Sequence, residues 1–203
     1  GSIICAIRDF IRPAILGMDI ENIDGIMEKL NNCIQKNTSA KACVDMAVYD
    51  LYGKRFGAPL YQLLGGYRKE LETDLTISVN PIDEMVRDSV AAVNRGYRIL
   101  KVKVGKEGIR DIERISAIHE AVGKAVKIRV DANQGWSAKE AIHILSAMED
   151  KGLDIELCEQ PVKAHDFAGM RAVTKAVNTL ILADESVFSA EDAVEIIRTG
   201  AAD

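Results

Sequence analysis

Two lysines alternate with valines in Leu100-Lys101-Val102-Lys103-Val104-Gly105. An extended strand sends successive side chains to opposite faces, so both ammonium groups emerge side by side. One of such a pair can accept a proton if its ammonium form is destabilised. A solvated edge strand accounts for the same stretch equally well.

Three further apolar runs each end in acids. They are Val126-Lys127-Ile128-Arg129-Val130-Asp131-Ala132-Asn133, Ile155-Glu156-Leu157-Cys158-Glu159-Gln160-Pro161 and Leu180-Ile181-Leu182-Ala183-Asp184-Glu185-Ser186. From Lys103 to Asp131, to Glu159 and to Asp184 the separations are 28, 28 and 25 residues. That is the length of one strand-loop-helix unit, and it predicts parallel neighbouring strands. Parallel strands carry their functional groups at their C-terminal ends, which sets all three acids on one rim beside the lysines.

Asp131, Glu159 and Asp184 form an all-oxygen set suited to Mg²⁺, with Mn²⁺ a second fit. A metal there would stabilise the charge left when the carbon next to a bound carboxylate loses its proton. Lys103 is the candidate base, because the adjacent charge of Lys101 and partial desolvation disfavour its ammonium form. Ion pairing of the acids with Lys101 and Lys103 is the structural alternative.

The elements that must position these groups follow from periodicity. Residues 3 to about 66 read as helical: Ile23, Ile26, Met27, Leu30 and Ile34 keep helical spacing, as do Val44, Ala47, Val48, Leu51 and Tyr52. Gly65-Gly66 closes this block and a polar link follows, which predicts domains at 1–70 and 71–203. Beyond it come five strand-helix units. Their helices carry Val86, Val90 and Val93; then Ile112, Ile115, Ile118 and Val122; then Ile142, Leu145 and Met148 behind the capping box Ser137-Ala138-Lys139-Glu140. A fourth covers Asp166 to Val177, and a fifth starts near Ser189, runs through Val194 and Ile197, and ends by Gly200. No Gly-rich phosphate loop follows any strand, so a partial βα barrel is favoured over an open doubly wound sheet.

Bulk properties narrow the classes. The 203 residues are 48% hydrophobic with net charge −5, enough for a buried core and without the basic excess that nucleic acid or an anionic membrane would attract. The absence of a long apolar run or a signal-peptide pattern predicts a cytoplasmic protein. Cys5, Cys33, Cys43 and Cys158 lack CxxC spacing and read as reduced core thiols; His119, His143 and His165 stand at no metal-ligand spacing.

Together, Lys101-Val102-Lys103, Asp131-Ala132-Asn133-Gln134-Gly135-Trp136, Glu159-Gln160-Pro161 and Ala183-Asp184-Glu185-Ser186 resemble the enolase superfamily in its muconate-lactonising subgroup. Ala47 to Leu51 and Pro59 to Gly66 are similar to the helical part of that family's capping domain. Thr76-Ile77-Ser78-Val79-Asn80, Asp131 to Trp136 and Ala183 to Phe188 most resemble dipeptide epimerases of the L-Ala-D/L-Glu type.

The resemblance implies an α/β fold: about five βα units of a TIM-like barrel behind part of an α+β capping domain. It implies the superfamily's established chemistry, a lysine base with a Mg²⁺-stabilised intermediate. Lys103 would then be one of two acid/base lysines, Lys101 would hold the substrate carboxylate, and Asp131, Glu159 and Asp184 would bind Mg²⁺. Thr76 would line the substrate pocket, Asn133 would orient the metal shell or the lysine, and Glu185 would face away in a supporting role.

Relative to that family the chain lacks the N-terminal sheet, the later barrel strands and the lysine expected on the sixth strand. A truncated form with a base on one face is expected to be inactive alone. The expected partners are a small carboxylate substrate and either a homo-oligomer or complementation by the missing segments. Two other readings stay open: a muconate cycloisomerase or o-succinylbenzoate synthase, and a non-catalytic half-barrel module.

Overall fold

Strands and helices alternate without exception from Leu75 onward in the computed structural model, which describes residues 1–203. The elements are β1 Leu75–Ile77, α6 Ile82–Asn94, β2 Ile99–Lys103, α7 Arg110–Val122, β3 Lys127–Asp131, α8 Ala138–Asp150, β4 Ile155–Glu159, α9 Phe167–Ala176, β5 Leu180–Leu182 and α10 Ala190–Thr199. They form one compact unit, Glu72–Asp203. All strands are parallel and lie in sequence order, β1-β2-β3-β4-β5. Right-handed crossovers that always step the same way leave every helix on one face. No strand order reverses, so the architecture is a partial βα barrel.

Alternation along the strands assigns the two faces. Leu100, Val102, Ile128, Val130, Cys158 and Ile181 are at most 2% exposed and meet the helices. Burying each large side chain contributes about 1.5–3 kcal/mol. The opposite face carries Thr76, Lys101, Lys103, Arg129, Asp131, Leu157 and Glu159, then Leu180 and Leu182, which are 54% and 41% exposed. In register, Lys103 pairs with Asp131, Asp131 with Glu159, and Glu159 with Leu182.

Local signals explain most boundaries. Ser137 and Glu140 form the reciprocal capping box at α8. Asp166 and Ser189 cap α9 and α10 through backbone N–H groups, and Gly200 ends α10 in the left-handed conformation. At the outer edge of β5 the chain end pairs back: Asp203 N–H donates to the Ile181 carbonyl, and Ile181 N–H donates to Asp203 Oδ2, both at 2.9 Å.

Burial refines two of the helix expectations and corrects the one for the cysteines. In α6 Val86, Val90 and Val93 form a half-buried stripe, with Val86 and Val93 packed on the core, and Met85, Ser89 and Ala92, one residue aside, are the fully buried positions. Small side chains let the helix approach, and Ser89 satisfies its hydroxyl on the Met85 carbonyl at 2.7 Å. The fifth helix, α10, has the expected bounds, from its Ser189 cap through Val194 and Ile197 to Gly200; along it only Ile196 is buried, whereas Val194 and Ile197 are 63% and 79% exposed. Of the cysteines, all free, only Cys158 is buried; Cys5 and Cys43 are exposed because they lie on the outer sides of their helices.

Residues Gly1–Leu71 form the other unit. It contains α1 Ser2–Ala6, a π-helical turn Ile7–Ile11, α2 Arg12–Ile15, α3 Ile23–Asn32, α4 Thr38–Phe56 and α5 Leu60–Leu63. Ala6, Ile11, Leu30 and Ala40 make its small core. Of the α4 stripe, Val48 is buried while Ala47 and Leu51 are exposed.

Candidate active site

Lys101 and Lys103 project from β2 onto the face that carries the acids. Lys103 Nζ donates to Asp131 Oδ2 at 2.6 Å and to Asn133 Oδ1 at 2.8 Å. Lys101 Nζ donates to Glu159 Oε1 at 2.6 Å and lies 3.0 Å from Asp131 Oδ2. The Asp131 side chain is fully buried and also accepts the Asn133 N–H at 2.9 Å. Both lysines therefore neutralise a pair of adjacent carboxylates, as the ion-pair alternative described.

The two acids respond oppositely to this crowding. Burial pushes Asp131 up, but Lys103, the Asn133 N–H and Lys101 outweigh it and hold Asp131 below the ordinary carboxylate range. For Glu159 burial prevails, reinforced by the Asp131 charge and only partly opposed by Lys101, so its carboxyl is raised. Two carboxylates this close disfavour ionising together, and the one with more donors is the one shifted down. Burial would lower the Lys101 ammonium, yet its bonds to Glu159 and Asp131 leave it raised.

Asp184 stands apart. The β5 ladder ends at Leu182, so Asp184 lies in the following turn, exposed, with no side-chain partner. Its backbone N–H is held by Gln160 Oε1 at 3.0 Å. Glu185 belongs to the same turn, where strand alternation no longer applies. Its Oε1 accepts from Asn133 Nδ2 at 3.2 Å, and its Oε2 is buried without a partner. Thr76 is exposed on β1 in register with Lys101.

No three acid, His or Cys side chains are close enough here to hold a metal ion between them. The donor chemistry nevertheless fits a hard cation. Asp131 and Glu159 are register neighbours, the Asp184 carboxylate is free to rotate, and an orphaned carboxylate oxygen of Glu185 is buried beside Asn133. A cavity of about 360 Å³ opens at Lys103, lined also by Ser78, Lys106, Asn133 and Gly135. A larger cleft of about 660 Å³ lies between the loop after β1 and the start of α7, but it contains none of these acids. The site belongs where lysines and acids converge.

Two buried residues to which the sequence reading gave no role brace the rim. Asp111 in α7 accepts from Gly105 N–H at 2.9 Å, Trp136 Nε1 at 3.2 Å and Arg114 Nη1 at 2.7 Å. Gln160 links the loops after β4 and β5. Gly105 has φ +91°, and a Cβ there would lie 2.2 Å from the Ala132 carbonyl oxygen, so only glycine lets the loops after β2 and β3 touch.

Residues 84–203 match the family model described as enolase C-terminal domain-like, and residues 2–65 match the mandelate racemase/muconate lactonizing enzyme N-terminal domain. The chain is 57% identical over 198 residues to the L-Ala-D/L-Glu epimerase of Clostridium acetobutylicum, covering 98% of this chain and 55% of that protein. It superposes on the substrate-liganded L-Ala-D/L-Glu epimerase of Bacillus subtilis with a TM-score of 0.97 at 49% identity, covering all of this chain and 56% of that one. The Enterococcus faecalis dipeptide epimerase complexed with Mg and L-Leu-L-Tyr gives 0.90 at 44% identity, over 95% and 54%. The chain spans about half the length of the relatives it matches.

Proposed function

The chain belongs to the mandelate racemase/muconate lactonizing family of the enolase superfamily, and from that premise we propose that it carries part of the active site of a dipeptide epimerase. The observation that supports this best is the placement of Lys103 at the rim, within hydrogen-bond reach of Asp131 and Asn133 and facing an open cavity. Lys103 is the group that removes or returns the α-proton on one face of the substrate. Lys101, two residues deeper on β2, holds the substrate carboxylate, and Thr76, in register with it, lines the pocket.

Asp131, Glu159 and Asp184 would hold Mg²⁺, with Mn²⁺ as a substitute. When bound, the cation offsets negative charge that builds on the substrate carboxylate as the α-proton leaves. Asn133 contributes by keeping its carbonyl oxygen toward Lys103, an orientation that its amide donation to Glu185 enforces.

Deuterium incorporation at the α-carbons of L-Ala-L-Glu tests this reading, with and without Mg²⁺. It is measured on the chain and on a chimera joining it to the part of the Bacillus subtilis epimerase outside the matched 56%. Mg²⁺-dependent exchange in the chimera that falls by about 100-fold or more in Lys103→Met is the expected result. No exchange in the chimera, or undiminished exchange in Lys103→Met, refutes it. Turnover of a muconate or a succinylbenzoate precursor in place of the dipeptide would assign the site to another enzyme of the family.

A further inference from the structure

We infer that Gln160 is a positioning residue whose side-chain amide fixes the Asp184 turn against the Glu159 end of β4 and thereby sets the affinity of the site for a divalent cation. The inference rests on the proposed role of Asp184 as a metal ligand. Sheet pairing stops at Leu182, so the ladder does not place Asp184. The Gln160 amide does so instead. Its Oε1 accepts from Asp184 N–H at 3.0 Å and Ser186 N–H at 3.1 Å, while its Nε2 donates to the Val162 carbonyl at 2.9 Å and to Ser186 Oγ at 2.8 Å.

Two lone pairs and two amide protons are the whole capacity of a glutamine side chain, and all four are used. The orientation is fixed as well, since a flipped amide would set its NH₂ against two backbone donors. Gln160 is fully buried, with φ +36° before Pro161, a conformation few residues other than glycine hold without outside support. Its backbone adds two ties: its N–H donates to the Leu182 carbonyl, and its carbonyl accepts from Gln134 N–H, both at 2.9 Å. One residue next to Glu159 thus joins the loops after β3, β4 and β5. The Asp184 carboxylate, free of partners, swings about a backbone that Gln160 immobilises.

Residues that orient metal ligands without touching the ion typically change its affinity by about 10- to 100-fold when replaced. The test compares wild type, Gln160→Met, Gln160→Glu and Val173→Ala by Mn²⁺ titration, counting free ion by electron paramagnetic resonance, and by amide hydrogen exchange. Gln160→Met removes all four bonds at similar volume. It should speed exchange at Asp184 and Ser186 and weaken Mn²⁺ binding by about 10- to 100-fold. Gln160→Glu keeps acceptors for both backbone N–H groups and should fall between. Val173→Ala, which opens a void in buried α9 core away from the turn, should lower stability while leaving the Mn²⁺ affinity unchanged.

Unchanged exchange at Asp184 and Ser186 in Gln160→Met overturns the inference. So does faster exchange with unchanged Mn²⁺ affinity, or an equal loss of affinity in Val173→Ala. Wild type that binds no Mn²⁺ overturns the metal assignment itself, which that titration separates from the failure of Gln160 alone.

Discussion

Lys101 on β2 reaches across the whole of β3 to Glu159 on β4, its ammonium 2.6 Å from Glu159 Oε1 and 3.0 Å from Asp131 Oδ2 on the way. A single cation so placed holds together two carboxylates that would otherwise repel. Removing it leaves Glu159 without its positive partner beside an ionised Asp131. The Lys101 side chain keeps 21% of its exposure, so water screens part of the effect. In a double-mutant cycle of Lys101→Met and Glu159→Gln, the coupling from urea unfolding is expected at about 1–2 kcal/mol. A coupling indistinguishable from zero would mean that the contact contributes nothing to stability.

The opposite shifts of the two acids give opposite pH dependences. The folded pKa of Asp131 is held below the ordinary 3.8, so its contribution is full above 3.8 and fades as pH falls through the lower folded value. That of Glu159 is raised above 4.5, so the folded state binds its proton more tightly, and its contribution is full below 4.5 and is lost as pH climbs through the folded value. Urea midpoints measured from pH 2 to 7 should show wild type gaining on Asp131→Asn as pH rises. Over the same titration wild type should lose ground to Glu159→Gln. Differences that run in the same direction would contradict the pairing.

Asp111 offers a spectroscopic check on the rim. Its buried carboxylate joins the loop after β2 to Trp136, the single tryptophan, and to Arg114, which is 5% exposed. Asp111→Ala removes the acceptor for all three donors and leaves the Arg114 charge less compensated. The expected loss is about 3 kcal/mol or more, with Trp136 emission moving to longer wavelength as the indole meets water. Asp111→Asn, which retains one acceptor oxygen, should lose less. An unshifted emission maximum in folded Asp111→Ala would show that Trp136 is held by packing alone.

Much of this arrangement was legible because it depends on local spacing. Strand alternation placed Lys101 and Lys103 on one face, the recurring unit length placed Asp131 and Glu159 at neighbouring strand ends, and Ser137 with Glu140 marked the start of α8. What stayed hidden depends on register and strand length. The Leu180 to Ser186 run looks like one strand, but pairing with β4 lasts only to Leu182, and Asp184 falls into a turn. Asp111 sits where a first-turn acid normally faces solvent, and only the approach of Gly105 and Trp136 explains its burial. Glu156 carries no pattern either; a register irregularity in β3–β4 pairing brings it to Arg129 and Lys127.

Gly105 provides the sharpest steric test of how the loops after β2 and β3 meet. At φ +91° any side chain is strained, and its Cβ would stand 2.2 Å from the Ala132 carbonyl oxygen, a backbone atom that cannot swing aside. Gly152 isolates the conformational part, since it too has positive φ, +66°, but a Cβ there would have nothing within 4 Å. Gly152→Ala is expected to cost about 1 kcal/mol from conformation alone. Gly105→Ala adds displacement of the Ala132 backbone next to Asp131, for a total of about 3 kcal/mol or more. Thermal unfolding of the two variants compares them directly. Equal losses would mean that the Gly105 loop relaxes away from Ala132 at no cost, and that the two loops are not locked together.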